Sequence, residues 1–125
     1  MAEPGGRQRL ILSPAARQDL REVLRWSLDR FGDGASARYR ALLTRALRDI
    51  EADPLRPGSR IRPELYDGAR TYHLALSRSR VDGARVGRPR HFVLYRVGLG
   101  GIEVARILHD SRDLARHVPE EWVAP

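Results

Sequence analysis

The sequence predicts an α+β fold: a short N-terminal strand, an antiparallel two-helix hairpin packed on a mainly antiparallel four-stranded sheet, and a short C-terminal helix. Three observations carry that prediction. Apolar residues recur every three or four positions from Ala16 to Ile50, with one interruption at Phe31-Gly32-Asp33-Gly34. Beyond Thr71 the pattern changes to short apolar runs bounded by glycine and arginine. Helical and strand-like patterns are segregated along the chain, and segregation argues for helices laid on one face of a sheet of consecutive strands.

Positions 1–8 form a polar tail containing glycine, 9–118 a single domain and 119–125 a C-terminal tail. Arg9 to Leu12 (RLIL) is apolar enough for a strand, though too short for periodicity to decide. Ser13-Pro14 reads as a helix start, with serine at the N-cap and proline at the first helical position, where its missing N–H costs nothing. Ala16, Leu20, Val23, Leu24, Leu28 and Phe31 then line one face, and Gly32 supplies the stop. After the tight FGDG link a second stripe follows, Tyr39, Leu42, Leu43, Ala46, Leu47 and Ile50, so the two helices should lie antiparallel. Asp53-Pro54 ends it. The stretch from Asp53 to Gly68 holds three prolines and two glycines and reads as an irregular, long connection.

Three strands are expected in the second half. Thr71 to Ser77 places Tyr72, Leu74 and Leu76 on one face; His91 to Val97 is apolar on both faces and should be central; Ile102 to Leu108 follows the glycine-rich Gly98–Gly101 turn as the other arm of a hairpin. The faces of that last strand stay open, because Ile102, Val104 and Leu108 share a parity with Arg106. Arg78 to Arg90, with five arginines, two glycines and a proline, reads as an exposed loop. Asp113 before Leu114–His117 looks like the N-cap of a terminal turn or helix.

A chain of 125 residues suits one domain that buries about two thirds of its unfolded surface. It has no cysteine, which excludes disulfides, thiolate zinc sites and cysteine nucleophiles and implies no oxidising compartment. No apolar run approaches the ~20 residues of a membrane span and no secretory h-region opens the chain, so the expectation is a cytoplasmic protein without membrane contact. The formal charge is +7, and all 23 basic residues are arginine. Guanidinium forks suit phosphate and carboxylate, so nucleic acid or an acidic protein is an expected partner; arginine in place of lysine also follows from a GC-rich coding bias.

Local chemistry is sparse. The four histidines, His73, His91, His109 and His117, form no HExxH or i, i+4 pair, so no metal and no other cofactor is expected. The GLGG turn precedes a strand and lacks the helix N-terminus that would cradle a phosphate, and there is no GxSxG elbow. What remains is Arg96 and Tyr95 on the central strand, Arg106 on the last, then His109 and Arg112. An arginine in an apolar strand is costly unless its fork is paired or reaches a cleft, so Arg96 and Arg106 either pair with a carboxylate or face a ligand. His109 has the pKa of a general acid or base and equally suits a strand-end hydrogen bond.

Three stretches carry a family resemblance: LSPAARQDLREVLRWSLDRFG, ARYRALLTRALRDIEADPLRPGSR and HFVLYRVGLGGIEVARILHDSRDLARHV. Over about positions 10 to 118 the chain resembles toxins of the RelE/ParE superfamily of type II toxin–antitoxin systems, on the ParE-like branch. The most specific pieces are the Ala16–Leu20 helix start, the Asp53–Gly58 link and the terminal series from Tyr95-Arg96 through Ile102-Glu103 and Arg106 to Arg112-Asp113.

The resemblance implies a growth-inhibiting toxin, of a kind that stabilises plasmids or chromosomes, silenced by a cognate acidic antitoxin in a hetero-oligomer. ParE-like members bind DNA gyrase and trap it on cleaved DNA with no chemistry of their own, and this is the favoured reading. Target contacts are then expected from Arg96, Arg106, His109, Arg112 and the loop residues Arg78, Arg80, Arg85 and Arg88. The antitoxin is expected in an apolar groove along Leu20, Leu24, Leu28, Tyr39, Leu43 and Leu47. The alternative is a RelE-like ribosome-dependent mRNA endoribonuclease, with Arg96, Arg106 and Arg112 holding phosphate and Tyr95 or His109 moving the proton. A chain without lysine lacks the lysines some RelE-like enzymes use. The long Arg78–Arg90 loop departs from the direct turn associated with ParE members, which leaves the target open.

Overall fold

The computed structural model describes residues 9–83 and 85–122; the expected tail at 1–8, Ala84 and the last three residues of the expected C-terminal tail lie outside them. Strand β1 (Leu10–Leu12) leads into a helical segment α1 (Pro14–Ala52), followed by β2 (Arg60–Ile61), β3 (Arg70–His73), β4 (His91–Gly98) and β5 (Gly101–His109). The helix starts as its sequence dictates: Ser13 Oγ accepts from the Ala16 N–H at 2.9 Å and Pro14 occupies the first turn. Gly32, at φ 87° and ψ −178°, breaks the helix into two arms. The Ser36 hydroxyl donates to the Leu24 carbonyl at 3.3 Å, whereas twelve residues of straight helix would separate them by about 18 Å. The arms therefore fold back on each other as a hairpin.

The sheet has five strands, not the expected four, in the order β1-β5-β4-β3-β2; its other pairings are antiparallel as expected, but β1 runs parallel to β5 and makes the sheet mixed. The fifth strand, β2, lies inside the link that read as irregular and pairs Arg60 with Thr71 and Ile61 with Arg70. The strand expected over Thr71–Ser77 stops at His73, and Leu74–Arg80 forms a 3-10 turn. His73 Nδ1 accepts from the Ala75 N–H at 3.0 Å, and the Ser77 hydroxyl turns inward to buried Asp49 at 2.6 Å. Leu74 is buried as a result, while Leu76 points outward.

At the β4–β5 turn, Gly101 has φ 138°, and the Arg9 carbonyl that accepts from Ile102 N–H at 2.7 Å fills the space a Cβ would need. β4 is central and apolar on both faces. Val93 and Tyr95 join Leu42, Leu43, Ile50 and Ile107 beneath α1, whereas Leu94 and Ala105 pack with Tyr66 and Ala69 on the opposite face.

The parity conflict on β5 is resolved by a bulge. Leu94 pairs with Arg106 but Tyr95 pairs with Val104, so Ala105 is an extra residue and shifts the strand's phase. Ile102, Val104 and Ile107 can then all reach the main core. The expected C-terminal helix is a single 3-10 turn, Leu114–His117, with the Asp113 carboxylate accepting from Ala115 N–H at 3.1 Å. A second such turn, Glu120–Trp122, carries Trp122 back onto Tyr66 at 4.6 Å, so packing extends past 118 into the expected tail.

Candidate functional site

β1 ends at Leu12, and from Ala105 onward β5 has no strand on that side. The start of α1 serves the exposed edge instead. Ser13 N–H donates to the Val104 carbonyl at 3.0 Å, Ser13 Oγ to the Ala105 carbonyl at 2.7 Å, and the Ile107 N–H to Asp19 Oδ2 at 2.9 Å. The helix arm then diverges from β5 and leaves an open cleft of about 550 Å³, lined by Trp26, His91, Arg106, His109, Arg112 and His117 among others.

The cleft floor is a linked set of imidazoles. Register sets His91 opposite His109, with ring centroids 5.3 Å apart. Tyr39 Oη accepts from the Arg90 N–H at 3.0 Å, so its own proton goes to His91 Nδ1 at 2.6 Å. Burial pushes the Tyr39 phenol up to about 12, which keeps that proton in place. Burial, followed by the charge of neighbouring His109, pushes His91 down to about 4, so the ring is neutral with its proton on Nε2. Asp110 receives His73 Nε2 at 3.2 Å and the Arg90 fork at 3.0 and 3.2 Å. Burial raises the Asp110 pKa, but the hydrogen bonds from His73 and Arg90 outweigh it and hold the carboxyl below its ordinary value. His109 Nδ1 accepts from the Ser111 N–H at 3.1 Å and lies 2.8 Å from the Ser111 hydroxyl, so Nε2 is the atom left toward the cleft.

The residues singled out from sequence separate into groups. Arg106, His109 and Arg112 share the cleft. Arg106 is held by Asp19, Nε to Oδ2 at 2.7 Å and a terminal nitrogen to Oδ1 at 2.8 Å, and it reaches the His117 carbonyl at 3.5 Å. Arg96 lies on the other face, paired with Glu103 at 2.7 Å and stacked over Trp122 at 4.0 Å. Tyr95 is fully buried and donates to the Pro54 carbonyl at 2.6 Å. Neither Arg96 nor Tyr95 joins His109. His91, His117, Trp26, Asp19 and Glu22 also line the cleft and were not singled out by sequence reasoning.

Of the loop arginines, Arg78 and Arg80 belong to the 3-10 turn, and Arg80 donates to both oxygens of Asp49 at 3.0 and 3.1 Å. Arg85 and Arg88 are exposed beside a second hollow. The apolar groove expected along α1 is largely closed: Tyr39 and Leu43 lie in the core at 5 and 1% exposure, and Leu20, Leu24 and Leu47 pack against it. The sheet supplies the facing apolar surface that a groove would have left open. Leu28 is half-buried. Among the described residues no group of three or more metal-ligating side chains is gathered, and no helix is long and apolar enough to cross a membrane.

No relative among curated proteins matches the chain. A family model described as the ParE toxin of type II toxin–antitoxin system, parDE, matches residues 10–114, which takes in β1, the whole helical hairpin and every other strand of the sheet. With its helix start, hairpin and five strands all inside that match, the chain belongs to the ParE toxin family of type II toxin–antitoxin systems.

Proposed function

We propose that this toxin acts by binding, as a cytoplasmic poison of DNA gyrase that inhibits growth until a cognate antitoxin neutralises it. One observation carries the reading: of the residues a ribonuclease would draw on, Arg96 and Tyr95 lie away from the cleft that Arg106, His109 and Arg112 share, and Arg106 is already paired. The Arg106 fork is occupied by Asp19, Arg96 stacks on Trp122 across the sheet, and Tyr95 is sealed in the core. The solvent-facing rim of the cleft includes His109, Arg112 and His117 beside one carboxylate, Glu22, and its basic side is the part suited to recognising an acidic surface.

The antitoxin's role follows from family membership. An acidic, amphipathic segment complements the +7 chain, and the partly covered edges of Leu20, Leu24, Leu28 and Leu47 along α1 are the surface proposed for it, in a toxin–antitoxin hetero-oligomer. The ribonuclease alternative rests on His109 and His117 sharing one cleft with Arg112. Purified toxin is assayed against gyrase supercoiling and, separately, against translated messenger RNA. Inhibited supercoiling with intact RNA is the expected result. RNA cleavage that disappears in His109→Ala, with supercoiling untouched, overturns it.

A further inference from the structure

Trp26 forms a wall of the histidine cleft and also of a second hollow, of about 410 Å³, between the hairpin tip and the arginine-rich loop. Its apolar lining is Trp26, Phe31, Ala35, Tyr39 and Val86, and its charged lining is Arg38, Arg85, Arg88 and Arg90. No described lining residue is acidic. Arg90 is committed to Asp110. Among the described residues, no ion pair engages Arg38, Arg85 or Arg88. Phe31 stands 63% exposed and meets Trp26 edge to face at 5.6 Å. An exposed aromatic ring and three unpaired guanidinium groups around a small apolar hollow pose a specific question of occupancy.

The chemistry narrows the answer. The arginines call for an anion, and the exposed ring calls for a flat apolar surface attached to it. An acidic helix is about 10–12 Å across with its side chains and does not enter a hollow of this size, whereas one unpaired base does. Aromatic platforms beside cationic side chains bind single-stranded nucleic acid in this manner, the base on the ring and the phosphates on the forks. We infer that the hollow between Phe31 and the Arg85–Arg88 loop holds an unpaired nucleotide of a single-stranded nucleic acid. The inference does not rest on whether gyrase or the ribosome is the target.

The test uses the full chain carrying Trp122→Phe, which leaves Trp26 as its one tryptophan. Its fluorescence is titrated with a thymidine decamer, the matching uridine decamer, an abasic decamer and polyglutamate. Either pyrimidine decamer should quench Trp26, and comparing the two distinguishes a DNA from an RNA source. The affinity should fall with salt at a log–log slope of about −2, for three phosphate contacts at about −0.7 each. Phe31→Ala should weaken binding about tenfold with the salt slope retained. Arg85→Ala with Arg88→Ala should flatten the slope by about 1.4. Circular dichroism checks that the variants are folded. Absence of quenching by either decamer, or equal affinity for the abasic strand or polyglutamate, overturns the inference. Failure of the supercoiling assay leaves this result unaffected.

Discussion

Arg106 and Asp19 hold each other across 87 positions of sequence through both carboxylate oxygens, at 2.7 and 2.8 Å, and the same carboxylate accepts the Ile107 backbone N–H at 2.9 Å. Asp19 thus stands in for a missing strand on the β5 edge while neutralising the arginine that the bulge turns toward α1. Removing it leaves a partly buried cation and a buried N–H without partners. Asp19→Ala should cost about 3 kcal/mol of stability, read as a lower urea midpoint at unchanged m-value. Asp19→Asn, which keeps an acceptor for Ile107, should cost clearly less; equal losses would show that the backbone contact contributes nothing.

His91 predicts a pH dependence of defined sign. Its folded pKa of about 4 lies below the ordinary value of 6.5, so the unfolded chain binds the proton more tightly between those limits. Stability is therefore full above about pH 6.5 and declines as pH falls toward 4, by up to about 3 kcal/mol. Urea unfolding of the native chain at pH 7 and pH 5 should reveal the decline. His91→Phe, although weaker at pH 7 for want of a partner to Tyr39, should lose much of the slope. An undiminished slope in the variant would assign the effect elsewhere.

Tyr95 separates the two functional readings through its hydroxyl, which is bound to the Pro54 carbonyl at 2.6 Å and beside Ser59. Tyr95→Phe should lower stability by about 1 kcal/mol and leave growth inhibition unchanged at permissive temperature. A catalytic phenol would instead lose activity without regard to temperature.

His109 and Arg112 project from the strand end into the cleft and are not part of the core. Alanine at both positions should change stability by no more than about 0.5 kcal/mol while relieving growth inhibition. Full toxicity in that double variant would remove the cleft rim from the recognition surface.

Much of the fold was legible because it is local. Ser13-Pro14 announced the helix, Gly32 the break, and the run from His91 to Val97 a central strand, each through neighbours a few positions away. The parallel pairing of β1 with β5 was not, since nothing near Leu10 points to Ile102. β2 contains only Arg60 and Ile61, too few residues for any period. The site followed the same division. Arg106, His109 and Arg112 lie together in sequence and line one cleft, but the bulge at Ala105 decides that His91 faces His109. A regular hairpin from the Gly98–Gly101 pair would have set Leu108 there instead. Arg96 and Tyr95 adjoin each other in sequence and stand with His109 in the ribonuclease alternative, yet strand alternation sends Arg96 to one face and Tyr95 to the other.

The pairing of Leu10 with Ile102 also orders events in time. At synthesis rates of about 5–20 residues per second, β1 waits roughly 5–20 s for its partner to leave the ribosome. Through that interval the apolar stripes of α1 have emerged while β4 and β5, which bury them, do not yet exist as strands. The nascent toxin therefore exposes apolar surface before its sheet is complete, and β1 finds its place only in a late, long-range closure.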